Sequence, residues 1–366
     1  MTSAGFEGRL GLVQRVLPAY RVPFFEALAG ACAAGLELFA GQARADESIA
    51  EAGLLRRARL VPAVNFQPFS PSSPLFFCYQ RGLTAWLAGW DPAALVVEAN
   101  FRYLSTPSAQ AWMKSRGRPV LGWGLGAPLE RGPLSSLRRG FLNRFDALIA
   151  YSRRGAEQYA ACGFPAGRIH VAPNAVVPAP VHPLPERPAA FADRPVVLFV
   201  GRLQPRKRLP SLLKACAALP AALQPHLVIV GDGPGLESLR ALARQLYPSA
   251  ELVGAQHGAG LEHYFRLADL FVLPGTGGLA VQQAMSFGLP VIVARGDGTQ
   301  DDLVRPGNGW QLPPEDDEAL AACLREALAD AARLRALGAE SYRIVLEEIN
   351  LERMVGVFVG VLNTLK

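Results

Sequence analysis

Short apolar runs recur along this chain, and most are followed by a stretch whose apolar positions have helical spacing. In the first half, residues 10–15, 36–40, 94–98, 119–123, 147–151 and 169–171 predict strands. Helices are predicted between most of them, as at 108–115 and 153–161. In the second half, strands are predicted at 196–200, 227–230, 250–253, 270–273 and 291–294. Near-continuous apolar strands alternating with helices are the pattern of parallel sheets covered on both faces. Residues 59–73 show no clear period and are expected to form a strand and a long loop near a cleft. The last stretch, 350–366, places Leu351, Met354, Val355, Phe358, Val361, Leu362 and Leu365 at helical spacing.

A run rich in proline follows Asn174, with Pro178, Pro180, Pro183, Pro185, Pro188 and Pro195. Such a run should be extended and stiff, and it marks the domain boundary. The predicted organisation is a domain over 1–177, a linker over 178–195, a second domain over 196–349 and a terminal helix over 350–366. With 366 residues and half of them hydrophobic, the chain can bury the cores of two doubly wound α/β domains.

Charge adds an asymmetry. Residues 1–180 hold 19 Lys and Arg against 11 Asp and Glu, whereas the remainder holds 18 against 20. A basic first half suits an anionic membrane surface, an anionic substrate or a plain solvated surface, and the sequence leaves these open. Arg138, Arg139, Arg144, Arg153 and Arg154, with Leu134, Leu137, Phe141 and Leu142, form the candidate membrane face. No basic-aromatic module points to nucleic acid. The five cysteines are scattered in apolar contexts and read as buried thiols of a reducing compartment. No apolar run is long enough to span a bilayer and no signal peptide is evident, so a cytoplasmic protein, peripheral to the membrane at most, is expected.

Three strand ends carry the chemistry. Residues 201–208 read GRLQPRKR directly after an apolar strand, which puts Arg202 and Lys207 where two cations can hold a pyrophosphate. Residues 231–235 read GDGPG between the next strand and an amphipathic helix. Residues 275–292 read GTGGLAVQQAMSFGLPVI: a glycine turn, a helix start and another strand. Backbone can approach a phosphate closely at such a turn, and the helix start offers unpaired N–H groups.

In this order and at these intervals the motifs resemble glycosyltransferase family 4, retaining enzymes of the GT-B fold that use nucleotide-diphosphate sugars. The likeness extends loosely to the first half through LPAYRVPFF at 17–25 and VAPN at 171–174. It implies a GT-B-like architecture of two Rossmann-like domains facing across a cleft, with the terminal helix crossing back to the first domain. It also implies that Gly201, Arg202 and Lys207 meet the donor diphosphate together with the amides around Gly277, Gly278, Leu279 and Ala280. By the same likeness Gln283 stands at the ribose position, and the loop from Gly254 to His257 holds the nucleobase. The donor would be UDP- or GDP-linked, the acceptor a bacterial surface glycan or lipid-linked sugar, and no metal is required where Arg and Lys neutralise the diphosphate.

The chain departs from that pattern. Gly275 and Gln283 stand where the family carries two glutamates, and no His lies between Met1 and Ile169 to face the donor sugar. These departures keep a non-catalytic nucleotide-sugar-binding subunit open as the alternative. In the first domain the polar groups after strands are Arg21, Glu98, Asn100 and Arg102, with Trp123 and Gly124 in a neighbouring loop, and these are the candidate acceptor contacts.

Overall fold

The computed structural model describes residues 5–365 apart from 45, 46, 48, 50–53, 128–132, 192 and 297, and for 133 and 134 the backbone alone. The chain divides into two compact units, one comprising residues 1–176 and 351–366, the other 177–350.

The first unit has strands β1 (Leu10–Val16), β2 (Leu36–Gly41), β3 (Arg59–Pro62), β4 (Val64–Phe66), β5 (Tyr79–Arg81), β6 (Ala94–Glu98), β7 (Val120–Gly124), β8 (Ala147–Ala150) and β9 (Ile169–Val171). Seven of them form one sheet in the order β3-β2-β1-β6-β7-β8-β9, parallel throughout. Helices α1 (Val22–Gly30), α2 (Leu83–Trp90), α3 (Thr106–Lys114), α4 (Pro133–Leu142) and α5 (Arg153–Ala161) connect them. Along β1, β2, β6, β7 and β8 residues alternate between two cores. Leu10, Leu12 and Val96 pack with Phe24, Phe25 and Phe358, whereas Val13, Leu95 and Val97 pack with Leu83, Met113 and Phe145 on the other face. Both faces are therefore dry, which is why these strands read as continuous apolar runs.

The segment 59–73 is more structured than its sequence suggests. Its start is the edge strand β3, and β4 then pairs with β5 in a separate antiparallel ribbon. The run 83–99 divides into α2 and β6, separated where Asp91 adopts a left-handed conformation (φ 51°) ahead of Pro92.

The second unit has β10 (Val196–Val200), β11 (His226–Val230), β12 (Glu251–Gly254), β13 (Leu270–Leu273), β14 (Val291–Ala294) and β15 (Gly309–Leu312), in the order β12-β11-β10-β13-β14-β15. Its helices are α6 (Leu209–Ala217), α7 (Leu236–Leu246), α8 (Gly258–Leu267), α9 (Ala280–Ser286), α10 (Thr299–Leu303), α11 (Asp317–Leu328) and α12 (Ala331–Glu347). The Pro-rich run belongs to this unit by its contacts. Arg187 reaches inward and donates to the carbonyls of Phe265, Ala268 and Phe287.

The last helix, α13 (Leu351–Thr364), returns to the first unit and packs against α1, burying Met354, Phe358 and Leu362. Among the described residues no helix is long and apolar enough to cross a membrane. Burial pushes the thiols of Cys32, Cys78, Cys216 and Cys323 up to about 12, so they are packing groups rather than nucleophiles.

Candidate active site

Each sheet reverses its winding once, between β1 and β6 in the first unit and between β10 and β13 in the second. Loops leaving two such neighbours diverge to opposite faces, which opens a crevice at the carboxyl ends of the strands. Two sets of polar groups gather at these places.

In the second unit, Gly201, Arg202 and Lys207 follow β10, and Gly275 to Ala280 follow β13. Residues Pro205–Lys207 form a 3-10 turn docked on the glycine loop, and Thr276 N–H donates to the Arg206 carbonyl at 3.1 Å. Lys207 is only 5% exposed, and its Nζ donates to the carbonyls of Thr276 (2.8 Å) and Gly277 (3.0 Å). The ammonium is thereby held among carbonyl dipoles beside the loop. Gly277 has φ 70°, a conformation that L side chains rarely adopt. Helix α9 begins only at Ala280 and is seven residues long, so backbone amides of the loop count for more here than a helix dipole.

Gln283 is half-buried on α9, and its carbonyl accepts from Ser286 Oγ. Its neighbour Gln282, which sequence reasoning passed over, is buried. Gln282 Oε1 accepts from Val177 N–H, and its Nε2 donates to the Ile349 carbonyl at 2.7 Å. Gly254 and His257 lie at the end of β12, two strands away from the switch point, and the Gly254 carbonyl accepts from Gly231 N–H. His257 is exposed at the N-cap position of α8 without capping it. The segment after β14 carries Asp297, Asp301 and Asp302; Asp297 lies outside the described residues, and α10, which holds the other two, starts from Gly298 with no capping side chain.

In the first unit a cavity of about 500 Å³ opens at the ends of β1, β6, β7 and β8, lined by Arg15, Glu98, Asn100, Arg102, Gly124 and Arg138 among others. Arg15 N–H donates to Glu98 Oε2, while the Arg15 guanidinium pairs with Glu47 at 2.5 Å and donates to Gln67 Oε1. Burial pushes the Glu98 carboxyl up from 4.5 to about 6, against the opposing pull of the Arg15 N–H and of the Arg15 and Arg21 charges. Burial likewise holds the Tyr103 phenol well above its ordinary value. Arg102 N–H donates to Asn100 Oδ1, and the Arg138 guanidinium lies over the Phe101 ring at 5.1 Å.

Two of the expected acceptor contacts are placed differently. The Trp123 ring edges the cavity but is fully buried among Phe24, Phe358 and Tyr151, with centroids 5.2 Å away in each case. Arg21 is buried against it, 4.9 Å over that ring and 5.2 Å over Tyr151, and is not part of the cavity lining. Trp123 is thus part of the wall itself, and Arg21 supports it from behind. The candidate membrane face on α4 is also changed, because Arg138, Phe141 and Leu142 are buried. Of its described apolar side chains, Leu137 alone is exposed.

Residues 36–180 match the family model for Glycosyltransferase Family 4, and residues 183–343 match that for glycosyl transferases group 1. Between them the two models account for both sheets apart from β1. The chain belongs to the family 4 glycosyltransferases.

Among curated relatives, this glycosyltransferase is 28% identical over 275 residues to a GDP-mannose-dependent alpha-(1-6)-phosphatidylinositol monomannoside mannosyltransferase of Mycolicibacterium smegmatis, covering 70% of this chain and 69% of that one. It is 28% identical over 309 residues to a GDP-mannose-dependent alpha-mannosyltransferase of the same organism, covering 80% and 79%. Its fold is shared with Anabaena HepE, solved in complex with UDP, at a TM-score of 0.71 and 16% identity over 97% of this chain and 99% of that one. The architecture is accordingly GT-B.

The enzyme's departure at position 275 has a steric basis. A Cβ there would lie 2.0 Å from the Arg206 carbonyl oxygen and 2.6 Å from the Lys207 Cα. With the turn at 205–207 docked in this way, no side chain fits.

Proposed function

We propose that this glycosyltransferase moves a hexose from a GDP-linked donor to a lipid-linked or glycan acceptor with retention of configuration. Lys207, held against the glycine loop across the β10–β13 switch point, is the observation that carries the reading. Together with Arg202 it would neutralise the diphosphate as negative charge builds on the leaving group. Gln283 would hold the ribose, and the loop from Gly254 to His257 would hold the base. GDP is favoured over UDP because two relatives of matching length are named as GDP-mannose-dependent.

In the transfer step an acceptor hydroxyl oxygen bonds to the anomeric carbon as the bond from that carbon to the β-phosphate oxygen breaks. The departing phosphate oxygen takes the hydroxyl proton, so no enzyme carboxylate has to act as base, and positioning and electrostatics provide the acceleration. This accommodates Gly275. The first unit would receive the acceptor in the cavity beside Glu98. The domain roles are thus acceptor binding over 1–177 and donor binding over 196–349.

The test is calorimetric binding of GDP, UDP, ADP and dTDP, followed by release of sugar from GDP-mannose. Selective GDP binding with slow sugar release supports the reading. Selective UDP binding would overturn the donor assignment, and binding of none of the four would remove the donor site altogether.

A further inference from the structure

The ribbon of β4 and β5 is inside out. Its register pairs Val64 with Arg81, Asn65 with Gln80 and Phe66 with Tyr79, so Asn65 and Gln80 share one face and the other four residues share the opposite one. The polar face is the one turned inward. Asn65 Nδ2 donates to the carbonyls of Arg15 (2.7 Å) and Gln42 (3.1 Å), and Gln80 Nε2 donates to the Gln14 carbonyl (3.0 Å). These bonds fasten the ribbon to the carboxyl ends of β1 and β2. The apolar face is left outward, with Val64 63%, Phe66 48% and Tyr79 44% exposed. The connecting loop adds Phe69 and Leu75, the latter 67% exposed. Phe77 joins the patch through ring contacts with Phe66 and Phe69.

Scattered exposed apolar residues need no explanation, but a contiguous aromatic patch turned outward by inward-facing polar anchors does. Residues 61–80 contain no Asp, Glu, Lys or Arg, and the stretch is bracketed by Arg59 and Arg81. Arg81 is exposed on the same face as Val64 and Phe66. Phe and Tyr beside Arg, in a half of the chain with excess positive charge, complement the interfacial zone and surface potential of an anionic bilayer. The same loop also walls the cavity beside Glu98 through Pro71 and Phe76.

We propose that the outward face of the β4–β5 ribbon and the tip of its loop form a docking surface for anionic lipid bilayers. Docking sets the mouth of the cavity at the headgroup layer, where a lipid-linked acceptor can present its polar end while its chains stay in the membrane. The cavity's part rests on the acceptor assignment above; the docking itself does not.

Flotation of the full chain with vesicles of phosphatidylcholine, with and without phosphatidylglycerol, tests this. The wild type should float with the anionic vesicles and more weakly with the neutral ones. Phe66→Ser combined with Leu75→Ser should weaken flotation at least about tenfold, the loss of two partly buried apolar anchors. Arg81→Glu should weaken it on anionic vesicles only. Val181→Ser, at an exposed apolar position of the other unit, should leave it unchanged. An unchanged thermal midpoint in each variant ties the loss to the surface rather than to folding. The proposal is overturned if the wild type does not float, or if the ribbon variants float as it does. It is equally overturned if they instead convert a dimer into a monomer with vesicle binding intact. Flotation needs neither donor nor turnover, so its failure is distinct from a failure to bind GDP.

Discussion

The carbonyl oxygen of Arg206 occupies the space that a side chain on Gly275 would need, 2.0 Å from where its Cβ would start. The residue that replaces the family's glutamate is thus fixed by the packing of the turn that carries Lys207. Gly275→Glu should therefore not act as a restoration. It should push the 205–207 turn off the loop, lowering stability by about 1–3 kcal/mol as overpacking does and weakening donor binding. Gly275→Ala should do most of the same damage, whereas Thr276→Ala, at an exposed neighbour, should be close to neutral. Urea denaturation with GDP titration measures both effects, and a Gly275→Glu variant of full stability would refute the steric account.

Lys207 is engaged by the protein itself before any ligand arrives, through the carbonyls of Thr276 and Gly277 among others. Lys207→Ala should accordingly lower both the stability of the second unit and the affinity for GDP, the latter by about 1.5–3 kcal/mol as for a charged hydrogen bond. Arg202→Ala should lower GDP affinity by a similar amount. Lys207→Arg should not rescue it, because the longer planar guanidinium does not fit a site shaped around two carbonyls. Calorimetry on the three variants decides the matter; GDP binding equal to wild type in both alanine variants would place the donor elsewhere.

Two adjacent glutamines test the proposed donor site against a structural role. Gln282 ties Val177, where the chain enters the second unit, to Ile349, where it leaves, and it does so from the interior. Gln282→Ala removes the partner of the buried Ile349 carbonyl and of the part-buried Val177 N–H, and should destabilise by about 1–3 kcal/mol. Gln283→Ala should leave stability nearly unchanged and weaken GDP binding modestly, and Gln283→Glu should bind GDP about as well as wild type. Thermal denaturation and calorimetry on the pair test this, and the reverse pattern would exchange their roles.

The sequence made the sheets legible because strands dry on both faces must be apolar throughout, as at Val196–Val200 and Leu270–Leu273. The glycine loops after β10 and β13 were legible for a related reason: glycines and cations directly after such strands stand out against the apolar runs. The β4–β5 ribbon was not legible, because its alternation is inverted, with Asn65 and Gln80 inside and Phe66 and Tyr79 outside. The burial of Arg21 and Trp123 could not be read either. It depends on Phe358 of the last helix packing against the Trp123 ring, a contact that no local pattern announces. The distinction between Gln282 and Gln283 depends on which side of one helical turn faces the two chain crossings.

Glu98 offers a test through pH. Its folded value of about 6 lies above the ordinary 4.5, so between these values the folded chain holds more protons than the unfolded one. Its contribution to stability is fully present below about 4.5 and falls as pH rises through about 6. Glu98→Gln keeps an oxygen that can accept from the Arg15 N–H but removes the ionisation. The variant should therefore lose this slope and be the more stable of the two near neutral pH. If ionised Glu98 receives a hydrogen bond from the acceptor, transfer by the wild type should decline below about pH 6. Glu98→Gln should then be slower at neutral pH and lack that acid limb. Denaturation curves across this range, with transfer rates measured alongside, check both halves. A pH–stability slope that survives the substitution would show that another group titrates there, and an acid limb that survives it would remove Glu98 from the acceptor site.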